Sequence, residues 1–372
     1  MTNRGRMMNT VVRRVVSIVF VSLVGCTATG AQTRVQAAED ETWAQGPSLG
    51  SGLTGTLVVL NKAEASASLL DAGTGRELAK VPTGSGPHEV AISPDGATAV
   101  VANYGQREPG HTLTVIDLVT KRVRSTIDLV EYHRPHGIQY LADGRRVAVT
   151  AEREQAVIIV DVESGVVETV VKTGQPISHM LVLSPDTSRI FVASMGSGTL
   201  TAIDVGAGKV LGSVATGPGA EGLDISPDGG EVWVGNRDAD TLSIVDAKTL
   251  EIIATLPCEG FPIRVKFTPD GQHVLVSNAR AGAVAVFDVS ERIEITRISM
   301  QATAVQNTDE RLFGDRLGSG PVPVGILIDP AGRYAFVANT NADVITVLDL
   351  KTWKVFGRVV AGTEPDGLGW VP

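Results

Sequence analysis

The chain contains few aromatic residues and almost no cysteine. Aromatic side chains make up 4% of its 372 residues, and Cys26 and Cys258 are its only cysteines. Two cysteines cannot build the framework of a disulfide-rich domain, and neither belongs to a Cys-x-x-Cys motif for redox chemistry or haem attachment. Cys258 follows Pro257 near the end of a predicted strand. We predict that it is a small buried residue without a catalytic role.

Excess positive charge and the common catalytic motifs are also missing. The net charge is −9 at pH 7, with a sequence pI of about 5.2. An acidic surface of this size repels phosphate backbones, so we expect no nucleic-acid partner. The sequence has no glycine-rich phosphate loop and no Ser-His-Asp order.

The N-terminus has the features of an export signal. Two arginines, Arg13 and Arg14, precede the apolar run Val15–Val24, which is too short to span a bilayer as a helix. The run ends in Leu-Val-Gly-Cys at Cys26, which resembles the lipobox of bacterial lipoproteins, where the cysteine becomes the lipidated first residue. The alternative is an ordinary secretory signal cut near Ala31 or Ala38.

Either signal places the mature protein outside the cytoplasm, in the periplasm or on the cell surface. We predict a signal peptide at 1–25, a flexible tether at 26–53 that ends in a glycine-rich stretch, and a folded domain at 54–372. The only membrane contact expected is the lipid anchor. We expect a monomer whose partner is a small-molecule ligand or an envelope protein.

From Thr54 onward the chain is periodic. A short strand, a turn such as Ser93-Pro94-Asp95-Gly96, and a second strand that often ends in Asn recur along it. Seven apolar strands end in aspartate, most of them about 42 residues apart. A period near 42 with four short strands per unit is typical of a β-propeller. The seven aspartates predict an all-β fold with seven blades: Asp71, Asp117, Asp161, Asp204, Asp246, Asp288 and Asp349.

The two chain ends are predicted to share one blade. Strands at Leu57–Asn61, Ala67–Leu70 and Glu77–Val81 match the second, third and fourth strands of the repeat. The last residues, Pro365–Pro372, match only a first strand. Pairing between them would close the ring and leave no free edge.

The repeat resembles a known family. Pro323–Ile326, Tyr334–Asn339 and Val344–Asp349 closely match the unit of the YVTN-type β-propeller repeat family. The resemblance covers residues 54–372 and implies the fold. Its relatives by architecture include the haem-binding propeller of cytochrome cd-type nitrite reductase and the seven-bladed lactonases. It leaves the function open, because such propellers serve as enzymes, haem binders and scaffolds.

Three histidines fall in one column of the aligned repeats. This column lies just before the innermost strand of each blade, so its side chains are expected to point into the mouth of the central channel. We call it the mouth column: His88, His136, His179, Glu221, Ile263, Val324 and Asp366. Imidazoles and carboxylates that converge from separate blades suit a first-row metal such as Zn, Fe, Mn or Cu.

The mouth column therefore predicts a divalent transition-metal site. The expected ligands are His88, His136, His179 and Glu221, with Asp366 as an additional candidate. The alternative is a polar channel in which these side chains bind water and no metal.

Further candidates lie next to the mouth column. Arg264 and Glu89 come one position after it, where other blades have glycine. Arg264 is a candidate for binding a substrate carboxylate or phosphate, and the alternative is an ion pair with Glu89, Glu221 or Glu259. Lys266 and Asp224 are expected to line the channel as a pair.

Two insertions are expected on the same face. Residues 106–111 lengthen one hairpin, and residues 299–317 lengthen one connection between blades. They are candidates for a rim or lid, together with His133, although tolerated surface insertions are the alternative.

The sequence leaves three functions open. The first is a metal-dependent hydrolase or oxidoreductase that uses the mouth column. The second is a propeller that binds haem or another cofactor through one axial histidine. The third is a non-enzymatic scaffold for envelope partners.

Overall fold

The structure is a computed structural model that describes residues 53–302, 311, 313–314, 316–318 and 320–372. The predicted signal peptide, the lipidation site at Cys26 and nearly all of the tether lie outside these residues. The described residues form 28 β-strands. Among them, no helix has the length and hydropathy needed to cross a bilayer.

The strands form seven four-stranded antiparallel sheets, which are the blades of a propeller. The inner strands are β4 (Pro87–Ile92), β8 (Pro135–Tyr140), β12 (Ser178–Leu183), β16 (Ala220–Ile225), β20 (Pro262–Phe267), β24 (Pro323–Ile328) and β28 (Pro365–Val371). The second strands are β1 (Thr56–Asn61), β5 (Thr98–Gly105), β9 (Arg146–Ala151), β13 (Arg189–Ser194), β17 (Glu231–Asn236), β21 (His273–Asn278) and β25 (Tyr334–Asn339).

The third strands are β2 (Ser66–Asp71), β6 (Pro109–Asp117), β10 (Ala156–Asp161), β14 (Thr199–Asp204), β18 (Thr241–Asp246), β22 (Ala283–Asp288) and β26 (Val344–Asp349). The outer strands are β3 (Glu77–Pro82), β7 (Arg122–Asp128), β11 (Val167–Lys172), β15 (Lys209–Ala215), β19 (Ile252–Pro257), β23 (Ile293–Ser299) and β27 (Lys354–Val360).

Both termini contribute to one blade, as the sequence predicts. Strand β28 pairs with β1, with Val59 opposite Leu368 and Leu57 opposite Trp370. The sheet order is β28-β1-β2-β3, so the C-terminal strand is the innermost of a blade begun by the N-terminal strands. The prediction of a closed seven-bladed propeller is confirmed.

Burial follows the position of a strand within its blade. The second and third strands are buried on both faces, because neighbouring blades cover them, and they read as continuous apolar runs. The outer strands alternate between exposed and half-buried residues, as in Lys209–Ala215. Cys258 is buried, as predicted, and its Sγ lies 3.2 Å from Asn278 Oδ1. Burial raises the pKa of this thiol to about 12, so it is inert.

The seven repeat aspartates have a structural role. Each ends a third strand, and its carboxylate accepts the backbone N–H of the residue three positions on, at distances such as 2.8 Å from Thr74 N to Asp71 Oδ1. The same bond forms at Asp117, Asp161, Asp204, Asp246, Asp288 and Asp349. The carboxylate thereby fixes the turn to the outer strand.

Each inner strand begins with a turn that orients the mouth-column side chain. Two residues before every mouth-column position the backbone has a positive φ: Gly86, Arg134, Ile177, Gly219, Phe261, Val322 and Glu364. The mouth-column residue itself falls in a β-bulge, as His88 does between Pro87 and Glu89. A β-bulge interrupts the alternation of side chains and changes the direction of the side chain at that position. Because the bulge recurs at the same position of each blade, all seven mouth-column side chains point the same way.

Candidate functional site

The three mouth-column histidines form a contiguous buried cluster. The ring centroids of His88 and His136 are 5.0 Å apart, and those of His136 and His179 are 3.7 Å apart. Tyr104 stacks on His88 at 4.4 Å and lies edge-on to His136 at 5.4 Å. The three imidazoles are at most 9% exposed. The structure therefore brings together the histidines that the sequence places in one column.

His136, Glu152 and His179 are arranged as a possible metal site. One ligand atom from each residue lies within 4.8 Å of the others, and all three side chains are buried. Two imidazole nitrogens of this group, His136 Nδ1 and His179 Nε2, are buried without a hydrogen-bond partner among the described residues. Unpaired buried nitrogens are costly unless a ligand satisfies them. The donor set therefore fits a transition metal.

His88 presents its other ring nitrogen in the form that binds metals. Its Nδ1 lies 3.0 Å from the carbonyl oxygen of Gly86, so Nδ1 carries the proton. Burial, and then the charge of Lys62, hold the pKa of His88 well below its usual value. The ring is therefore neutral at pH 7, with its lone pair on Nε2. Burial and the positive charge of His179 also lower the pKa of His136.

His179 differs from the other two because carboxylates contact both sides of its ring. Its Nδ1 donates to Glu152, and its Nε2 lies 3.4 Å from Glu221 Oε1 without the alignment of a hydrogen bond. Burial alone would lower its pKa, but the two glutamates raise the pKa to about 9. Burial would likewise raise the pKa of Glu221, yet His179, Arg237 and Arg264 lower it to about 2.

Glu221 and Glu152 therefore have different environments. The Glu221 carboxylate is bound by Arg237 and by Arg264, whose Nη1 lies 3.3 Å from Oε1. Glu152 accepts from His179 and from the Tyr104 hydroxyl at 2.8 Å. Glu221, which the sequence predicts as a ligand, lies 3.4 Å from His179 Nε2, and Glu152, which the sequence did not single out, contacts His179 Nδ1.

Arg264 crosses the channel next to the histidine cluster. Its Nη2 donates to Glu89 Oε1 at 2.7 Å, although Glu89 belongs to a non-adjacent blade, and it lies 3.9 Å from Asp366 Oδ1. Burial opposes the charge of Arg264, but Glu89, Asp366 and Glu221 outweigh it and raise its pKa. Of the two alternatives for Arg264, the structure therefore has the ion pair with Glu89 and Glu221. Asp366, the additional ligand candidate, forms an ion pair with Lys62, whose Nζ lies 2.8 Å from Oδ2.

A cavity lies on the other side of this ion-pair layer. It has a volume of about 540 Å³, and its walls are the later halves of the inner strands. Lys266 and Asp224 face it as a pair 3.3 Å apart, as the sequence predicts, with Tyr140 and Trp370 farther along. The Arg264–Glu89 pair also borders it. The buried layer therefore divides the channel into a histidine side and an open side.

Two described residues of the long insertion pack against the apolar part of the mouth. These residues, Phe313 and Leu317, pack in one cluster with Ile263 and Val324, the two apolar members of the mouth column. Lys62 Nζ lies 5.4 Å from the Phe313 ring centre. Phe313 and Leu317 thus pack on the side of the mouth that has no histidine.

The short insertion and His133 lie on the rim of the histidine side. Arg134 lies over the Tyr104 ring at 4.6 Å, and its Nη2 is 3.5 Å from the Arg107 carbonyl. His133 itself pairs with Glu154 at 3.1 Å and does not reach the mouth column.

Several site residues come from a second column that the sequence analysis did not single out. These residues come one position after the second-strand column that holds Asn in five blades and Ala151 or Ser194 in the other two: Lys62, Tyr104, Glu152 and Arg237. The remaining blades have Met195, Ala279 and Thr340 there. The sequence signal for these residues is a repeat column, next to the Asn column, in which several blades have a charged side chain.

Comparisons with known proteins agree with this architecture. A family model described as "Cytochrome D1 heme domain" matches residues 142–354, and one described as "YNCE-like beta-propeller" matches residues 26–211. The chain belongs to these two β-propeller families. The predicted relationship to the haem-binding propeller of cytochrome cd-type nitrite reductase is confirmed at the level of the family.

Two solved structures of other proteins superpose on this chain and have the same fold. Hydrazine synthase of Kuenenia stuttgartiensis superposes with a TM-score of 0.65 at 20% identity, over 79% of this chain and 92% of the other. A functionally unknown protein from Desulfotomaculum acetoxidans DSM 771 superposes with a TM-score of 0.70 at 14% identity, over 85% and 99%. A search of curated proteins found no match.

Proposed function

We propose that this protein is an extracytoplasmic, lipid-anchored propeller that binds a transition metal at its channel mouth. Export and lipidation rest on the basic and apolar N-terminal segment that ends at Cys26. Metal binding rests on the cluster of His88, His136 and His179. The metal equips the protein for hydrolytic or redox chemistry on a small molecule at the mouth.

One observation carries the metal proposal. His136 Nδ1 and His179 Nε2 are buried and have no hydrogen-bond partner among the described residues, although both belong to one group with Glu152. Leaving two such nitrogens unpaired costs about 1–3 kcal/mol each. A bound cation satisfies both nitrogens at once, and imidazole is a preferred ligand of Zn, Cu and Fe.

The residues around this group have separate tasks. His136 and His179 hold the ion, and His88 offers Nε2 from the next blade as a third ligand. Tyr104 donates to Glu152 and orients its carboxylate toward His179. When bound, the metal acts as a Lewis acid that activates water or substrate. Because ligands must be deprotonated, binding releases the proton that Glu152 and Glu221 keep on His179.

We expect purified protein to contain about one equivalent of a first-row metal, and His136→Ala to lose most of it. His136 Nδ1 has no other partner in the described chain, so its removal deletes a ligand without breaking a protein hydrogen bond. The measurement is elemental analysis after dialysis, with melting temperature as the check of folding.

His273→Ala is the matched control, because His273 lies against Trp353, with ring centroids 5.0 Å apart, and outside the mouth column. It should keep the full metal content. A wild-type protein with no stoichiometric metal after supplementation, or a His136→Ala variant with unchanged content, would refute the ion site.

A second candidate is haem binding, which the match of residues 142–354 to the Cytochrome D1 heme domain favours. His179 is the only mouth-column histidine inside that stretch, and its Nε2, which forms no hydrogen bond in the described chain, fits an axial ligand. Glu152 on Nδ1 would orient the ring. Bound haem would supply redox chemistry.

Titration of the metal-free protein with haemin tests this candidate. Haem binding predicts a sharp Soret band at about one equivalent, and His179→Ala should shift or abolish it. An unchanged haemin spectrum would exclude haem and leave the ion site as the sole proposal.

A further inference from the structure

Two histidines outside the channel mouth face each other on the rim. His111 lies near the start of β6, and His133 precedes β8. Their ring centroids are 5.9 Å apart, with the ring planes at 61°. Their side chains are 45% and 32% exposed, so a hydrated ion can reach both of them directly from solvent.

A carboxylate orients each ring in the same way. His111 Nδ1 donates to Asp128 Oδ1 at 2.9 Å, and His133 Nδ1 donates to Glu154 Oε1 at 3.1 Å. Both rings therefore present Nε2 as the lone-pair atom, and neither Nε2 has a protein partner in the described part of the chain. A carboxylate on one imidazole nitrogen and a metal on the other is the usual arrangement in protein metal sites.

The two carboxylates are themselves held in place. Asp128 also accepts the N–H of Val130 at 2.8 Å, and Glu154 also accepts the N–H of His133 at 2.6 Å. Glu154 lies in the same turn as Glu152, which orients His179 inside the channel. One turn thus supplies an orienting carboxylate to an inner and to a rim histidine. Fixed rings lose little entropy when they bind.

The separation of the rings suits one shared ion. A metal–nitrogen bond of about 2.0–2.1 Å puts the metal roughly 3 Å from each ring centre, so two rings on one ion have centroids about 5 Å apart at a tetrahedral angle and about 6 Å apart on opposite sides of the ion. The observed 5.9 Å lies near the upper end of this range, so the two partly exposed side chains need a small rotation to share an ion tetrahedrally. Asp128 and Glu154 add negative charge that favours a dication.

We propose that His111 and His133 form a second metal site, which takes a hydrated divalent transition ion of the Zn²⁺ class. Two imidazoles are the protein ligands and water completes the coordination. With two ligands and an open surface, this rim site exchanges its ion faster than the buried mouth.

Equilibrium dialysis of the untagged full chain against Zn²⁺ alone tests the rim site. The double variant His111→Ala/His133→Ala should lose one equivalent of bound zinc or bind it at least tenfold more weakly. His273→Ala, with an equal loss of imidazole elsewhere, should bind as the wild type does. Because both rim side chains are partly exposed, the melting temperature should change little, and His111→Gln/His133→Gln should repeat the loss.

Variants of Asp128 and Glu154 distinguish zinc ligation by the two histidines from a general effect of negative surface charge on zinc binding. Asp128→Asn and Glu154→Gln should each weaken rim binding several-fold, whereas Glu163→Gln removes an equal charge from a distant exposed pair and should not. His136→Ala should remove only the mouth equivalent. A double rim variant that binds zinc like the wild type would overturn the rim site, and an unchanged His136→Ala alone would overturn only the mouth site.

Discussion

A chain truncated after Ala361 is expected to yield no cooperatively folded propeller. The missing residues include β28, which is the inner strand of the closing blade and pairs with β1 along its length. Its loss leaves β1 as an open edge and opens the ring between two blades. The same deletion removes Asp366 and leaves the buried Lys62 ammonium without its partner.

The expected loss exceeds the net stability of an ordinary domain, which is about 5–15 kcal/mol. Trp370 packs against Phe336 at 5.8 Å, so one hydrophobic cluster loses its inner wall. An unpaired buried charge alone costs several kcal/mol. Soluble yield and the urea unfolding curve measured by circular dichroism report the effect.

Removal of Pro372 alone is the matched control. This residue follows the last strand and is exposed, so the chain that ends at Val371 should melt as the full chain does. A soluble chain ending at Ala361 with an unchanged melting temperature would contradict closure by the C-terminal strand.

Arg264→Met is expected to destabilise the protein by about 3–5 kcal/mol, the usual cost of removing one partner of a buried ion pair. Arg264 is 7% exposed and contacts Glu89, Glu221 and Asp366 across the channel. Methionine fills much of the volume but leaves these carboxylates without their shared cation. The free energy of unfolding in urea at pH 7 measures the loss.

A double variant tests whether charge causes this loss. Burial raises the pKa of Glu89, and the positive charge of Arg264 opposes this rise. Without the arginine, the Glu89 carboxylate loses the cation that stabilises its charge. Arg264→Met/Glu89→Gln should therefore recover part of the stability that Arg264→Met loses. Arg124→Met, which breaks the exposed Arg124–Glu163 pair, should change little. Equal effects of Arg264→Met and Arg124→Met would show that the channel network contributes nothing.

The repeat made most of the fold predictable. Each aspartate, such as Asp246 with Thr249 N at 2.7 Å, forms its contact within a few residues, so local sequence reveals it. Seven copies of this signal fixed the number of blades. The incomplete repeats at the two ends predicted the closure through β28 and β1.

The site was predictable only in part. The repeat register alone put His88, His136 and His179 in one column, because equivalent positions in a propeller meet at the axis. The partners of these rings could not be read in the same way. Glu152 reaches His179 across 27 positions of sequence, and Arg264 reaches Glu89 across 175. The repeat register offered the Arg264–Glu89 pair only as one of several alternatives, and nothing local marks the pair of Glu152 and His179.

The sequence by itself determined the seven blades, their closure and the gathering of three histidines at one end of the channel, because a repeat sets backbone geometry and equivalent positions alike. Only the tertiary structure decided that Glu152 meets the imidazoles, that arginines bind Glu221, and that Arg264 divides the channel. Those choices depend on distances between side chains from different blades. Because an unpaired buried charge is costly, each buried charged group pairs with an oppositely charged group that lies within reach.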